Sequence, residues 1–234
     1  MNTATTNVRF SVGTHARLPI NGAVKPQRVN KRAATVAVVA KAEGTSTSTK
    51  IEGAGASGYA VDGNRPTSPR AWEIMSTMLR KSNVKMLSPQ ELVFEQERGA
   101  KIVDIRPVGE YGSGRIPGAI SAEFFRLIEG WDPVRIARRG MYAFFGVFNG
   151  TEFNDRFFAE IENAVGPTRD QPLVLYCNIG GTLEPTGPSE FGQQSRSLTA
   201  AYELLRAGYS NVKVLKGGFN DWKRAERDIE VYED

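Results

Sequence analysis

Three short apolar runs constrain this chain most: Ile102-Val103-Asp104-Ile105, Leu173-Val174-Leu175-Tyr176 and Val212-Lys213-Val214-Leu215. Loop formers follow each of them closely, at Pro107, at Cys177-Asn178-Ile179-Gly180 and at Gly217-Gly218. Each reads as a short apolar strand. Helical spacing lies between the last two runs, at Leu198, Ala201, Tyr202 and Leu205, with Gly208 as the stop. Ser88-Pro89-Gln90-Glu91 has the form of a capping box and opens an earlier helix that runs to about Arg98 and ends at Gly99. Strands alternating with helices predict an α/β domain with a central, mainly parallel sheet flanked by helices.

The N-terminal third reads differently. Residues 1–42 hold seven basic residues and no acid; the first acid is Glu43. This is the composition of an organellar transit peptide, the alternative being a basic tail, and composition alone does not choose between chloroplast and mitochondrion. With that leader set aside, 23 basic residues face 26 acidic ones, a net charge of −3, so the basic balance of the whole chain carries no nucleic-acid inference. Residues 43–66 are mostly small and polar and predict a flexible linker. Ser68-Pro69 then predicts an N-cap and first turn for a short helix within 67–85, with Trp72, Met75 and Leu79 on one face. The main domain is expected over 86–232. No apolar stretch approaches the roughly eighteen residues of a membrane helix, so no transmembrane span is expected.

Residues 123–161 interrupt the alternation. Eight of the twelve phenylalanines fall there, and Asp132-Pro133 can start a helix through Arg139. Two readings stand: a helical insertion that packs its aromatics on the core, or an exposed patch for a partner or a membrane surface.

Cysteine and histidine counts narrow the chemistry. Cys177 is the sole cysteine, and His15, inside the basic leader, is the sole histidine. Intramolecular disulfides and multi-cysteine metal sites are therefore excluded, and no metal or cofactor is called for. Removal of the leader would also exclude Ser-His and Cys-His catalysis and histidine-ligated zinc. Cys177 directly follows an apolar strand and precedes a glycine-rich loop that feeds a helix, where free backbone N–H groups favour a thiolate or a bound anion. Arg196 adds a permanent charge suited to sulfur or phosphorus oxyanions. From position alone Cys177 is either a thiolate nucleophile in an anion cradle or a buried inert cysteine. Arg196 is either an anion ligand or the partner of a loop acid such as Glu184 or Glu190.

Three ordered motifs extend this reading. Asp104-Ile-Arg106-Pro-Val-Gly-Glu110-Tyr111-Gly-Ser-Gly114-Arg-Ile116-Pro-Gly118-Ala119 resembles the signature of the rhodanese family, with Arg115 in place of the usual histidine. Cys177-Asn-Ile-Gly180 is similar to the start of the family's catalytic loop, and Arg196-Ser197, Gly208-Tyr209, Gly217-Gly218-Phe219 and Trp222 are similar to its C-terminal block. Details of the insertion, and the run Gly181-Thr-Leu-Glu-Pro-Thr186, resemble a chloroplast rhodanese-domain group of plants and algae.

The resemblance covers about residues 86–230 and implies a rhodanese fold. It implies that Cys177 accepts sulfane sulfur as a persulfide from thiosulfate or another persulfide donor and passes it to a thiol acceptor. Gly180, Gly181, Arg196 and Ser197 are then expected to bind the donor, while Asp104, Arg106 and Glu110 hold the surrounding loops. Gly118 and Gly217-Gly218 are read as turn glycines, Trp222 as core and Arg115 as a surface substitution. The chloroplast is the implied location.

One departure bears on activity. Arg196 lies nineteen residues after Cys177, where the family's compact loop has arginine about five residues on. The extended loop 178–195 either folds back to rebuild the cradle, or moves freely, or serves as a docking element. Two functions follow besides a remote cysteine phosphatase: a sulfurtransferase, or a non-catalytic rhodanese module that binds a protein partner through this loop or the aromatic insertion.

Overall fold

A computed structural model describes residues 58–144, 150–187 and 189–231. The predicted transit peptide, residues 43–57 of the predicted linker and the side chains of Phe144, Phe145 and Phe148 lie outside the described residues.

In chain order the elements are α1 (Pro69–Lys81), β1 (Lys85–Leu87), α2 (Pro89–Glu97), β2 (Lys101–Asp104), α3 (Val108–Ser113), β3 (Ile120–Ser121) and β4 (Phe125–Leu127). Then follow α4 (Pro133–Phe144), β5 (Thr151–Phe153), α5 (Phe157–Val165), β6 (Leu173–Tyr176), α6 (Arg196–Arg206), β7 (Val212–Leu215) and α7 (Gly218–Arg224). Five strands form one sheet in the order β1-β7-β6-β2-β3, and every pair is parallel. The three apolar runs are its three central strands, with Asp104 beside Tyr176 and Leu175 beside Val214. Their carboxyl ends therefore finish at one edge, with β6 in the middle.

The sheet is buried on both faces, as its continuous apolar runs require. Along β6 the side chains alternate: Leu173 and Leu175 join one core with α1 and α6, whereas Val174 and Tyr176 join a second core with Leu92, Phe219 and Trp222. The capping box at Ser88 closes both ways, with Glu91 N–H donating to Ser88 Oγ (3.3 Å) and Ser88 N–H donating to Glu91 Oε2 (2.7 Å). That second bond, with the Ser88 hydroxyl, lowers the Glu91 pKa. Ser68 caps α1 by accepting from Ala71 N–H at 3.2 Å.

The sequence boundary drawn at Met86 separates pieces that pack together. Trp72, Met75 and Leu79 are buried against the core that also holds α6. Tyr59 and Val61, inside the predicted linker, are buried there too. The Tyr59 ring stacks on Phe153 (5.4 Å between centroids) and its hydroxyl donates to Glu203 Oε1 at 2.8 Å. The partners of Tyr59 lie more than sixty residues away, so local composition gave no sign of them.

The insertion is not purely helical. Strands β4 and β5 form an antiparallel pair that sets Phe125 opposite Phe153. Phe124, Phe125, Phe153, Phe157 and Phe158 pack with one another and with the main core. Helix α4 starts where Asp132 accepts from Arg135 N–H (3.0 Å), but it continues to Phe144 rather than Arg139. Over its described first turns, Arg138 reaches the buried Glu152 (2.8 Å), while Val134 and Ile136, with Trp131 just before the helix, face solvent. Among the described residues no helix is long and apolar enough to cross a membrane.

Candidate functional site

Cys177 is the first residue beyond β6, at the carboxyl end of the middle strand, where sites in open parallel sheets form. It is only 2% exposed. Its carbonyl accepts from Phe219 N–H (2.8 Å) and the Asn178 carbonyl accepts from Asn220 N–H (3.0 Å), so the start of the loop is tied to α7. The approach is too close for side chains. A Cβ on Gly218 would lie 2.2 Å from the Cys177 carbonyl oxygen, and one on Gly180 would lie 2.3 Å from that of Leu215.

The other wall is the start of α6. Ser195 is the N-cap: its Oγ accepts from Leu198 N–H (3.1 Å) and donates to the Gly180 carbonyl (2.8 Å). The Ser195 proton is thereby committed to the loop. Ser197 Oγ lies 3.1 Å from Ser195 Oγ and 3.3 Å from Cys177 Sγ. A thiolate sulfur only accepts, so ionised Cys177 draws the Ser197 proton to itself in a charge-assisted bond. The first-turn amides of α6 have no intrahelical acceptor and add positive potential at the same end.

The extended loop folds back. Thr182 and Gln193 exchange two backbone hydrogen bonds, Thr182 N–H to Gln193 O (3.0 Å) and Gln193 N–H to Thr182 O (2.9 Å). The chain leaves at this pinch and returns at it, so 178–181 and 194–195 are brought together, joined by the Ser195 hydroxyl on the Gly180 carbonyl. Of the two readings for Arg196, pairing with Glu184 or Glu190 is not what the structure has. Arg196 as a residue is half-buried, and its guanidinium makes no hydrogen bond or ion pair with another described residue.

Beneath the loop lies a buried ion pair. Arg106 donates to Asp104 through its backbone N–H (3.0 Å), Nε (2.9 Å) and Nη2 (2.6 Å), and Nη2 also reaches the Gly114 carbonyl (2.7 Å). Burial alone would lower the Arg106 pKa, but the Asp104 carboxylate outweighs it and holds the guanidinium charged. The guanidinium lies 4.2 Å from the Phe219 ring centroid. Glu110 accepts from Asn178 Nδ2 at 2.5 Å, and Arg106 Nη1 is 3.5 Å from Asn178 Oδ1. Asn178 thus ties the residue after Cys177 to the Asp104–Arg106–Glu110 group. Tyr176, buried beside Asp104, has its phenol pKa pushed up, first by burial and then by that carboxylate.

Cys177, Gly180, Ser197, Asp104, Arg106 and Glu110 are therefore gathered at one edge of the sheet; Gly181 opens the pinch, and Arg196 is the first residue of α6. Sequence reading missed Ser195 and Asn178. A serine just ahead of an apolar-periodic helix was the available signal for the first; nothing local marked the second. Arg115 is not a surface substitution. It is buried, pairs with Glu230 through both backbone and side chain, and lies 4.8 Å from the Tyr111 ring centroid. The Gly118 amide, together with Arg115, holds the Glu230 carboxyl below its ordinary pKa. Gly118 and Gly217 both have left-handed φ angles, and Trp222 is buried with its indole N–H on the Asp228 carbonyl (2.8 Å).

A lone cysteine at the tip of the middle strand of a parallel sheet, with a glycine loop leading into a capped helix, defines an α/β cysteine-loop protein. The Rhodanese-like domain family profile matches residues 88–225, and the chain belongs to that family. It is 37% identical over 174 residues to Rhodanese-like domain-containing protein 14, chloroplastic, of Arabidopsis thaliana, covering 73% of this chain and 77% of that one. It is 24% identical over 148 residues to Rhodanese-like domain-containing protein 10 of the same plant, covering 61% and 62%. Among solved structures it is similar to a thiosulfate sulfurtransferase of Pseudomonas aeruginosa (17% identity, 73% of this chain and 24% of that one, TM-score 0.42). A rhodanese-like domain from Anabaena matches at 17% identity over 63% of this chain and 79% of that one, with TM-score 0.37. The architecture is the rhodanese fold.

Proposed function

We propose that this chain is a sulfurtransferase that carries sulfane sulfur on Cys177. The observation that carries the reading is the placement of Cys177 Sγ at the sheet edge, 3.3 Å from a hydroxyl on the first turn of α6, under a loop that closes despite its length. The Cys177 thiolate attacks the outer sulfur of thiosulfate. A new sulfur–sulfur bond forms, the old one breaks, and sulfite leaves with the electron pair. An acceptor thiolate then attacks the outer sulfur of the persulfide, becomes a persulfide itself and releases the Cys177 thiolate, which gives ping-pong kinetics. Arg196 is the group suited to the donor's oxyanion, because its charge is uncommitted among the described residues. Gly180 and Gly181 let the loop backbone pack where a Cβ would not fit, and the Gly181 amide closes a tight turn by donating to the Ile179 carbonyl (2.7 Å). The acid-free leader and the chloroplastic relative together support a chloroplast location.

The burial of Cys177 favours a second reading, a non-catalytic rhodanese module whose exposed Trp131 and loop tip meet a protein partner. Intact-protein mass spectrometry separates the two. Incubation with thiosulfate should add one sulfur, reversible by dithiothreitol and absent in Cys177→Ser. No addition from thiosulfate or from a small persulfide donor, with the protein folded and its thiol reduced, would turn the assignment to the binding module.

A further inference from the structure

The excursion that leaves the cradle at Thr182 and returns at Gln193 is gripped from outside by α1. The Trp72 indole N–H donates to the Gly192 carbonyl at 3.2 Å, in a buried contact. Arg80 donates through Nε to the Leu183 carbonyl (3.0 Å) and through Nη2 to the Glu190 carbonyl (3.1 Å), so one side chain holds both legs. Its guanidinium lies 6.0 Å from the Phe191 ring centroid. Eight residues of helix separate the two donors, about 12 Å along the axis. In the turn before α1, the Pro66 carbonyl accepts from Gln194 Nε2 at 2.9 Å.

These contacts bear on the site because of where the excursion is rooted. Gly181 precedes the pinch, and Ser195, which caps α6 and holds Gly180, follows it by two residues. The two legs meet too closely for side chains: a Cβ on Gly192 would lie 2.2 Å from the Thr182 carbonyl oxygen, and one on Gly181 would lie 2.5 Å from that of Gln193. A two-stranded ribbon this small has little stability of its own in water. Its other backbone bonds, Thr186 with Ser189 in both directions (3.1 Å each) and Gly192 N–H to the Ser189 carbonyl (3.4 Å), stay within the same twelve residues, so fixing the excursion on the domain requires an outside anchor. Helix α1 meets the requirement because it is anchored independently, by the buried faces of Trp72, Met75 and Leu79. It lies wholly outside the stretch matched by the family profile.

We infer that α1 is a positioning element for the Cys177 site: Trp72 and Arg80 hold the 182–193 excursion by its backbone carbonyls, and the cradle at 178–181 and 194–195 closes as a result. Recognition through carbonyls leaves the exposed tip at 184–187 free to vary without loss of the grip. The consequence for rate rests on the sulfur-transfer reading; the ordering of the loop does not.

The test uses the full chain with Trp72→Phe, Arg80→Met, the two combined, and Arg80→Lys. Trp72→Phe keeps a ring and removes the donor, and Arg80→Met keeps the stem and removes the fork. Hydrogen exchange read by mass spectrometry should show the Thr182 and Gln193 amides accelerated tenfold or more in the combined variant, with β2, β6 and β7 unchanged. Persulfide loading of Cys177 from thiosulfate should fall at least fivefold, and Arg80→Lys should recover part of the loss. Exchange within twofold of wild type at both amides would overturn the inference, and so would an acceleration shared equally by the central strands. If the combined variant does not fold, the single variants decide on the same criteria. If wild type takes up no sulfur, the sulfur-transfer reading falls, and the exchange data alone decide the positioning role.

Discussion

Asp104→Asn is the substitution whose cost follows most directly from the site. Asp104 is fully buried and accepts four bonds from three nitrogens of Arg106, which is itself buried. Asparagine keeps the shape and one acceptor oxygen but leaves the guanidinium, between Phe219 and the Gly114 carbonyl, with only the half-exposed Glu110 carboxylate 4.0 Å away as counter-charge. Removing one partner of a buried pair costs about 3–5 kcal/mol, against about 1 kcal/mol for an exposed pair. For a domain of this size, at about 2–4 °C per kcal/mol, that is a fall in Tm of about 6–20 °C. Urea unfolding followed by the buried tryptophans reads the change directly. Asp104→Asn/Arg106→Met, which removes the stranded charge, should be more stable than Asp104→Asn alone. A single-variant loss below about 1 kcal/mol would refute the reasoning, because it would mean that water or another acceptor solvates Arg106 without Asp104.

Two more outcomes follow from the same geometry. Ser197→Ala should slow iodoacetamide alkylation of Cys177 about 4–12-fold at neutral pH. A charge-assisted bond of about 1.5–3 kcal/mol is lost, and the higher intrinsic nucleophilicity of the less stabilised thiolate offsets about half of the effect; an unchanged rate would remove Ser197 from the site. Stability should also decline above about pH 10, where tyrosine ionises in the unfolded chain. Burial, then Glu203, raises the Tyr59 pKa, and burial, then Asp104, raises that of Tyr176. The folded state then binds more protons than the unfolded state at alkaline pH, so ΔG falls with pH, by up to about 1.4 kcal/mol per pH unit for each tyrosine. Tyr59→Phe should remove one of the two contributions, and an alkaline slope identical to wild type would contradict it.

Much of the fold was legible because its causes are local. The strands 173–176 and 212–215 have the limits their apolar runs predict, and 101–104 differs by one residue at each end. Ser68 and Ser88 cap as their spacing requires. The Cys177 loop and the order of the motifs around it were readable from residue types alone. Less legible were elements with weak periodicity: the two-residue β3, the three-residue β1, β4 and β5, and the six-residue α3, all shorter than the window in which a pattern stands out. Arg115 and Tyr59 were misread for a different reason. Each is buried by a partner far along the chain, Glu230 in one case and Phe153 and Glu203 in the other.

The sequence by itself determined a parallel α/β sheet with the lone cysteine at the carboxyl end of a strand, because strand composition, caps and turn glycines act within a few residues. Only the tertiary structure decided whether a nineteen-residue separation between Cys177 and Arg196 leaves a cradle. The answer depends on Gly181 and Gly192 allowing two backbone legs to meet, and on Trp72 and Arg80 reaching across from α1 to hold them. Those contacts join residues more than a hundred positions apart, and hydrogen bonds to backbone carbonyls leave no mark on the identity of the residue that accepts them.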